Sequence, residues 1–596
     1  MRFVREIAVS YAYTKQLHAG ALASVPPVLF LLLFSCVGLR SGQIAPQPRF
    51  ASSVELILHN GKVITVDKDF SVRPAVAIGN GRILAVGENS AILAMAGPDT
   101  RVVDLAGRTV IPGLSDDHYH MLQVAKDAYL GVNVTLVSSI SEMLGGIRAK
   151  VKTMPPGATV YTMSGWLPEQ LKEKRPPSRA ELDSISPENP VVVLGGHTEY
   201  LNSYALRAVG ITRDTPSPPG GFIQKDPATG EPTGLLVDNA MALSRKLLPV
   251  ATDEQKREAL RRAMKAENSV GITSIREPTV DPPDMRVYQE LWKSGEMTLR
   301  VSMNLNLEPQ QPASTMIGQL SEWGVSTGFG DTFLRLDGIG EFGMDGGFQA
   351  ALMTQPYATS SQIKSAEPFR GLQRIPTEKF DEVVEAMNRL NWRPCVHSVG
   401  DEATDKVLDA YEKADAKGSI LAKRWVIEHG HYMRPDQYAR IKKLGVVIST
   451  QFHPFMAAQT MVENWGTERA SRAMPVREWL DAGLRVGGGS DWTLLPANPF
   501  WIISFFVTRE SRLWGLIGPQ ERISRREALE MLTINNAYIT FEENIKGSIE
   551  PGKLADLVVL SDDILTVPDR KIKEITPVLT ILGGRIVYSN GSINVR

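Results

Sequence analysis

Cysteine is almost absent from this chain: Cys36 and Cys395 are the only two in 596 residues. So few cysteines exclude a disulfide framework and a cysteine-rich zinc site. An excess of charge of either sign is also lacking, since 65 lysines and arginines nearly balance 66 aspartates and glutamates. This balance gives no reason to expect nucleic acid or an anionic membrane as a partner. The hydrophobic content of 43% is that of a soluble globular protein.

The chain also lacks an apolar run of the roughly 20 residues that a membrane-spanning helix needs. The longest apolar run near the N-terminus, VPPVLFLLLFSCVGL, is shorter and has two prolines near its start. Basic residues precede it and small residues follow it. This pattern predicts a signal peptide within residues 1–45, whose cleavage point stays open, and export to the periplasm or the medium. LFSC resembles a bacterial lipoprotein signal, so anchoring at Cys36 is an alternative, although Phe34 fits that signal poorly.

Both ends of the remaining chain read as β-structure. Residues 53–110 alternate short apolar runs with turn residues, including the Asn-Gly hairpin signals HNGK and GNGR. Residues 545–596 repeat this style in ADLVVL and VLTILGGRIVYSNG. We therefore predict one composite β-sandwich domain built from both ends.

Between these ends, strand-like and helix-like segments alternate. Eight strand-like runs predict an α/β fold with a parallel (β/α)₈ barrel over residues 109–544. These runs are TVIPGL (109–114), GITSIRE (271–277), LRVSMNLN (299–306), FLRLDGIGEF (333–342), PCVHSV (394–399), WVIEHG (425–430), VVIST (446–450) and LRVGGGSDW (484–492). Residues 155–245 do not fit the alternation and are interpreted as an insertion after strand 1 that faces the substrate.

Histidine is scarce, with nine in the chain, yet GLSDDHYHML places two of them one residue apart. On an extended segment His-x-His sends both side chains the same way. Six ionisable residues follow the predicted strands at the carboxyl ends, where barrel enzymes keep their active sites: His118, His120, Glu341, His397, His429 and Asp491. Any one of them alone has a structural interpretation, such as a helix N-cap for Asp491. Together they predict a divalent metal site, with zinc as the expected ion.

At this point the sequence resembles a known family. PGLSDDHYH resembles the PG-x-x-D-x-H-x-H signature of the amidohydrolase superfamily. Its amidohydrolase-3 branch, the group of YtcJ-like and N-substituted formamide deformylase-like proteins, has motifs that resemble VHSVGDEATDKVLDAYEKA, VIEHGH, GGGSDW, PGKLADLVVL and GGHTEYLNSYAL of this chain. The resemblance runs from about residue 53 to the C-terminus. It implies a barrel with a composite β-sandwich, one or two divalent ions, and hydrolysis of amide-like C–N bonds other than peptide bonds.

The resemblance also implies roles for the residues. His118, His120 and Asp491 would hold one ion, and His397 and His429 a second, with Glu341 between them. Asp491 would be the catalytic residue that takes a proton from a metal-activated water and passes it to the leaving nitrogen. The expected substrate contacts are His197 and Trp166 from the insertion and His453 after strand 7, although a tryptophan in this setting is often a core residue.

One position departs from the family pattern. The family commonly carries a lysine, carbamylated to bridge two metals, four residues before an Asp-Gly pair on strand 4. Asp345–Gly346 fixes the register here, and the residue four before Asp345 is Glu341. A glutamate supplies the same two oxygens without carbon dioxide, so it can still bridge. A mononuclear site with Glu341 as a simple ligand is the alternative, so the metal count stays open.

The sequence therefore predicts an exported, metal-dependent amidohydrolase acting on a small N-acyl, N-formyl or cyclic amide. The enzymatic alternatives on the same scaffold are an esterase, a deaminase or a lyase. The non-enzymatic alternative is an exported binding protein without turnover. The expected partner is a small-molecule substrate, without nucleic acid and without a stable membrane span, and formation of a homodimer stays open.

Overall fold

The computed structural model describes residues 53–359, 363, 368–491 and 496–595. The predicted signal peptide and Cys36 lie outside these residues, so export and lipid anchoring stay predictions.

The centre of the molecule is an eight-stranded parallel barrel, as predicted. Neighbouring strands pair in chain order, and helices cover the outside. Because parallel strands of this kind are covered on both faces, nearly all of their residues are buried, polar ones included. Barrel strands 1 to 8 are Leu114–Asp116, Ile272–Val280, Arg300–Leu305, Leu334–Gly343, Pro394–Ser398, Val426–His429, Val447–Gln451 and Val486–Gly489.

Strand 1 of the barrel is shorter than the sequence suggests. The run TVIPGL is divided: Thr109–Pro112 joins another sheet, and only Leu114–Asp116 pairs with barrel strand 2. The division falls at Gly113, whose backbone N–H donates to the Asp556 carbonyl. A Cβ at Gly113 would lie 2.2 Å from Thr273 Oγ1, so only glycine lets the chain pass from one sheet to the other here. The prediction that residues 109–114 form one barrel strand is therefore wrong for residues 109–112.

Two smaller sheets form the composite β domain, one of which contains strands from both ends of the chain, as predicted. The six-stranded sheet has the order Arg585–Ser589, Pro577–Leu582, Leu557–Leu560, Thr109–Pro112, Lys62–Ile64, Val72–Arg73. The four-stranded sheet has the order Arg82–Gly87, Ala75–Gly79, Leu56–His59, Arg101–Asp104.

The two Asn-Gly signals have different outcomes. Asn80 and Gly81 have φ of 52° and 70° and join two paired antiparallel strands, as a type I′ turn requires. Asn60 has φ of 56°, but Gly61 stays at negative φ, and the flanking strands enter different sheets. The hairpin expected at HNGK is therefore wrong, because this turn passes the chain between sheets.

The insertion after barrel strand 1 contains a five-stranded sheet. Its order is Gly221–Lys225, Pro232–Asp238, Thr198–Leu201, Val191–Leu194, Val160–Tyr161. The outer strand Val160–Tyr161 runs parallel to its neighbour and the other pairs are antiparallel. This sheet has its own apolar cores, so the insertion is a packed layer and not an irregular loop.

The helices fill the connections between strands. One of them, Asp253–Ser269, begins with a capping box in which Thr252 and Gln255 exchange side-chain hydrogen bonds. Among the described helices, none is both long and apolar enough to cross a membrane. The α-helices are Asn89–Leu93, Met121–Leu130, Ile140–Val151, Arg179–Ile185, Ser203–Val209, Asp253–Ser269, Met285–Lys293, Ala313–Glu322, Thr377–Arg389, Asp401–Lys417, Pro435–Leu444, Pro454–Trp465, Thr467–Ser471, Val476–Asp481, Pro499–Thr508, Arg525–Glu530 and Asn536–Ile539. The 3₁₀ turns are Pro168–Gln170, Asn239–Leu243, Arg245–Leu247, Pro282–Asp284, Pro519–Glu521 and Asp569–Glu574, and Met531–Asn535 is a π turn.

Candidate metal centre

The six predicted ligands meet at one mouth of the barrel. The Nε2 atoms of His118 and His120 each lie 3.4 Å from Asp491 Oδ1. They are 3.7 and 3.5 Å from Glu341 Oε2. These distances are longer than the 2.7–3.2 Å usual for hydrogen bonds, and two ligand atoms of one tetrahedral zinc ion are roughly 3.4 Å apart. The spacing of these four side chains therefore fits a metal ion between them.

The other two histidines contact the second oxygen of Glu341. Its Oε1 lies 2.6 Å from His397 Nδ1 and 2.5 Å from His429 Nε2. The two nitrogens are 2.9 Å apart. Each oxygen of Glu341 thus faces its own pair of histidines.

The remaining nitrogens of three histidines have acceptors that fix which nitrogen carries the proton. His118 Nδ1 lies 2.8 Å from Glu428 Oε2, and His429 Nδ1 lies 2.6 Å from Gln451 Oε1. His397 Nε2 lies 3.3 Å from the Gly346 carbonyl. Since all three partners are acceptors, each of these nitrogens donates a proton, and the opposite nitrogen of a neutral ring keeps a lone pair. Those three lone pairs point at carboxylates, which also only accept, so each contact needs a shared positive charge. The spacings of 3.4 and 3.7 Å at His118 fit a metal ion. The contacts of 2.6 and 2.5 Å that His397 and His429 make with Glu341 have hydrogen-bond length, so these atoms must move apart to share an ion.

The pKa values of four residues of the centre show the same demand for positive charge, whereas burial lowers the pKa of His397 to about 4. Burial alone would lower the pKa of His120, but the carboxylates of Asp491 and Glu341 outweigh it and raise that pKa to about 9. Burial likewise opposes charge on His118, yet Asp491 and Glu428 raise its pKa well above the ordinary value. Burial would raise the pKa values of Asp491 and Glu341, but the surrounding histidines hold both well below the usual range. A proton or a divalent cation can meet this demand.

A buried network of charges lies beneath the centre and holds His118 from below. Glu428, whose side chain is fully buried, accepts from His118 and also pairs with Arg276. Arg276 in turn donates to Asp337 Oδ2 over 2.6 Å, and Arg393 pairs with the same oxygen. The sequence analysis did not identify these residues. The pattern that could have identified them is a charged residue within a predicted strand of the barrel, as in GITSIRE and WVIEHG.

Two of the candidate ligands have unusual backbone conformations. His429 and Asp491 have φ of 71° and 45°, in the left-handed region. For residues with a Cβ this conformation costs on the order of 1–2 kcal/mol, and such residues cluster at functional sites. The strain at two ligands supports their placement in a functional centre.

A cavity of about 180 Å³ opens beside the centre, and three of the six residues, His120, Glu341 and Asp491, line it. Its wall contains the three predicted substrate contacts, His197, Trp166 and His453. The other described lining residues are His120, Gln123, Ser164, Gly165, Leu167, Gly195, Gly196, Glu341, Phe348, Gln349 and Asp491. Among these described residues there is no lysine or arginine, so the described part of the wall carries no permanent cation.

The three predicted contacts differ in what they offer a ligand. Trp166 is 2% exposed, packs in the core of the insertion and donates its indole N–H to the Leu194 carbonyl, so it contributes an apolar wall and not a donor. His453 lies 3.3 Å from Asp491 Oδ2 through Nε2 and 3.1 Å from His431 Nε2 through Nδ1. It therefore contacts a candidate ligand from the outside.

His197 is the predicted contact with the most direct access to the cavity. Its side chain is about a third exposed, its Nδ1 lies 2.7 Å from Asp238 Oδ1, and its ring centroid is 5.2 Å from that of His397. Asp238 thus fixes the orientation of the imidazole, and Nε2 is the nitrogen that stays available. A Cβ at Gly347 would lie 2.7 Å from His197 Cδ2, and one at Gly346 would lie 2.4 Å from Asp238 Oδ2. The two glycines after Asp345 therefore make room for this pair.

Comparison with known proteins finds a matching family model, related sequences and related structures. The model of the amidohydrolase family matches residues 101–588. LONG AFTER FAR-RED 3 of Arabidopsis thaliana is 31% identical over 566 residues, which cover 90% of this chain and 91% of the plant protein. N-substituted formamide deformylase of Arthrobacter pascens is 29% identical, over 90% of this chain and 98% of the relative. The crystal structure of an uncharacterized metal-dependent hydrolase from Pyrococcus furiosus is 26% identical, covers 86% of this chain and 100% of its own, and gives a TM-score of 0.65.

Proposed function

The chain belongs to the amidohydrolase family of metal-dependent hydrolases, and we propose from this premise that it hydrolyses the C–N bond of a small, uncharged amide. The observation that carries the proposal is the set of imidazole lone pairs that point at the carboxylates of Glu341 and Asp491. A proton or a divalent cation satisfies that arrangement, the family is one of metal-dependent hydrolases, and Glu341 and Asp491 line the cavity.

The ligand set divides naturally between two positions. His118, His120 and Asp491 form one group of donor atoms that fits an ion. His397 and His429 face the other oxygen of Glu341 and are assigned to a second ion. Zinc suits imidazole and carboxylate ligands together. Bound here, it would supply a water of lowered pKa and polarise the substrate carbonyl.

The remaining steps are assigned to side chains of this protein. Asp491 Oδ1 faces His118 and His120, so Oδ2 is the oxygen that would take the proton of the attacking water and return it to the leaving nitrogen. His197 would bind the carbonyl oxygen through Nε2 as negative charge develops, held by Asp238. Trp166 and Phe348 would give the substituent an apolar surface.

The cavity supports an uncharged substrate. Anionic substrates are commonly held by arginine or lysine, and the described wall contains neither. Its volume of about 180 Å³ is also below the roughly 300 Å³ of sites for drug-sized ligands. The relative from Arthrobacter pascens is by its name a deformylase of N-substituted formamides, and the formamide group itself is neutral.

The test is hydrolysis of a panel of neutral formamides, acetamides and lactams by zinc-loaded protein, with parallel detection of amine, ammonia and carboxylate. We expect Asp491→Asn to lower kcat by about 10²–10⁴, and Asp104→Asn, an exposed carboxylate in the four-stranded sheet, to leave it unchanged. Ammonia release without new carboxylate would indicate a deaminase instead. No turnover of any compound by zinc-loaded wild-type protein, or full activity of Asp491→Asn, would contradict the proposal.

A further inference from the structure

The barrel closes at a seam between strand 8 and strand 1, where its hydrogen bonding is weakest. Strands 1 to 8 pair with their neighbours in order, but no continuous ladder of backbone hydrogen bonds joins strand 8 to strand 1 in the described residues. Two backbone bonds cross the seam near the metal centre: Asp117 N–H donates to the Gly488 carbonyl over 3.3 Å, and Asp491 N–H to the His118 carbonyl over 2.8 Å. The other backbone N–H and C=O groups of both strands that face the seam need partners from elsewhere in the protein.

Asn536, at the start of the short helix Asn536–Ile539, supplies those partners. Its Nδ2 donates to the carbonyls of Ser115 on strand 1 and Gly488 on strand 8, each over 2.8 Å. Its Oδ1 accepts the N–H of Gly488 over 2.9 Å. The residue is only 1% exposed, so these bonds are made away from water. One side-chain amide therefore takes the place of a missing residue in the ladder and joins the two strands.

The glycines of strand 8 let this amide approach. A Cβ at Gly487 would lie 2.5 Å from Asn536 Oδ1, and one at Gly489 would lie 2.6 Å from the backbone nitrogen of His118. Gly487 and Gly489 are thus explained by closure of the seam, since a side chain at either position would push the strands apart. The chain immediately beyond these strands carries the candidate ligands of one ion, His118 and His120 on one side and Asp491 on the other.

We propose that Asn536 is a positioning residue of the metal centre, which sets the spacing between the two histidines and Asp491. The proposal rests on the proposed function, because it assumes that these three side chains bind one ion. Nitrogen and oxygen ligands must lie within a few tenths of an ångström of their positions for full affinity. Without the amide, the links that join strand 1 to strand 8 in the described part of the chain are the two backbone bonds and the carboxylate of Asp116, which accepts from His118 N–H and Ser490 N–H.

The neighbouring residue is a matched control. Asn535 precedes Asn536 and also donates to strand 8, from Nδ2 to the Val486 carbonyl over 3.0 Å. No bond from its side chain to strand 1 occurs among the described residues. Replacing Asn535 therefore removes a helix-to-barrel hydrogen bond of the same type without opening the seam.

The experiment compares Asn536→Ala and Asn535→Ala in the full chain, by zinc affinity in competition with a chromophoric chelator, the visible spectrum of the cobalt-substituted protein, and Tm. We expect Asn536→Ala to weaken zinc binding by about tenfold to a hundredfold, the usual range for residues that orient metal ligands, and to change the cobalt spectrum. Asn535→Ala should lower Tm but leave both metal readouts at wild-type values. Asn536→Asp, which keeps the size and the acceptor but loses the donors, should behave like Asn536→Ala.

Three outcomes would overturn the inference. Wild-type zinc affinity and an unchanged cobalt spectrum in Asn536→Ala, with only Tm reduced, would make Asn536 a general structural residue. If Asn535→Ala weakened zinc binding as much as Asn536→Ala, the effect would not depend on the bonds across the seam. Failure of both Asn536 variants to fold would likewise assign the residue to folding and not to metal positioning. If wild-type protein binds no zinc at all, it is the proposed function that fails, and this result is separate from the others.

Discussion

Replacement of Glu428 by glutamine tests the link between the buried charge network and the metal centre. The Glu428 carboxylate accepts from His118 Nδ1 over 2.8 Å and pairs with Arg276, and both partners are donors. Glutamine has the same shape, but one end of its amide is an NH₂ group. Arg276 donates to both oxygens of Glu428 and His118 to one of them, so the NH₂ end faces a donor in either orientation.

The magnitude follows from these contacts. Loss of a partner that orients a metal-binding histidine lowers metal affinity about tenfold to a hundredfold, which corresponds to roughly 1.4–2.7 kcal/mol. Breaking one side of a buried ion pair costs about 3–5 kcal/mol of stability. Arg276 keeps its 2.6 Å contact with Asp337 in the variant. We therefore expect the loss of stability to be near the lower end, about 3 kcal/mol.

The assay is zinc competition with a chelator, together with urea unfolding of the metal-free protein. Asp556→Asn is the matched control, because Asp556 makes a buried bidentate pair with Arg300 over 2.7 and 2.9 Å and is not among the residues of the metal centre. Both variants should lose stability, and only Glu428→Gln should lose zinc affinity. If Glu428→Gln binds zinc as tightly as Asp556→Asn, the assignment of His118 Nδ1–H to Glu428 is refuted.

Two further predictions concern the ligands themselves. Glu341→Gln should reduce the metal content measured by plasma mass spectrometry from two ions per chain, as proposed from the two histidines that face each oxygen of Glu341, to one or none; an unchanged single ion in wild type and variant would make the centre mononuclear. Zinc affinity should fall as the pH decreases from about 9, because below the raised pKa of His120 the ion must displace a proton, and each proton displaced costs about tenfold in affinity per pH unit. Calorimetry in buffers of different ionisation enthalpy should detect the released protons, and a pH-independent affinity would contradict the assignment of His120.

Much of the fold could be predicted because each barrel strand is recognisable from a short, contiguous stretch of sequence. A buried parallel strand is continuously apolar, and a polar residue at its carboxyl end stands out, as His397 and His429 do. The break at Gly113 could not be predicted in this way, since both halves of TVIPGL are apolar and buried. What separates them is a close contact with Thr273, a residue 160 positions away in a strand that the local pattern does not include.

The parts of the site that the sequence did not predict are contacts between distant strands. Arg276 and Glu428 each look like an isolated charge in an apolar run, and only closure of the barrel brings strand 2 opposite strand 6. Asn536 is similar: NNAYIT is an ordinary helix start, and its function depends on a gap between strands 1 and 8. Sequence patterns therefore identified residues that point into the centre, but not the residues that hold them in place.

The departure from the family pattern at Glu341 has a simple physical consequence. The family lysine becomes a carboxylate only after reaction with carbon dioxide, whereas a glutamate is a carboxylate as soon as the chain folds. Here the two oxygens are divided, Oε1 toward His397 and His429 and Oε2 toward His118 and His120. The histidines also hold the pKa of Glu341 well below its usual range, against the effect of burial, so its charge persists at neutral pH. The substitution thus changes the origin of the carboxylate, while both oxygens still lie between two pairs of histidines.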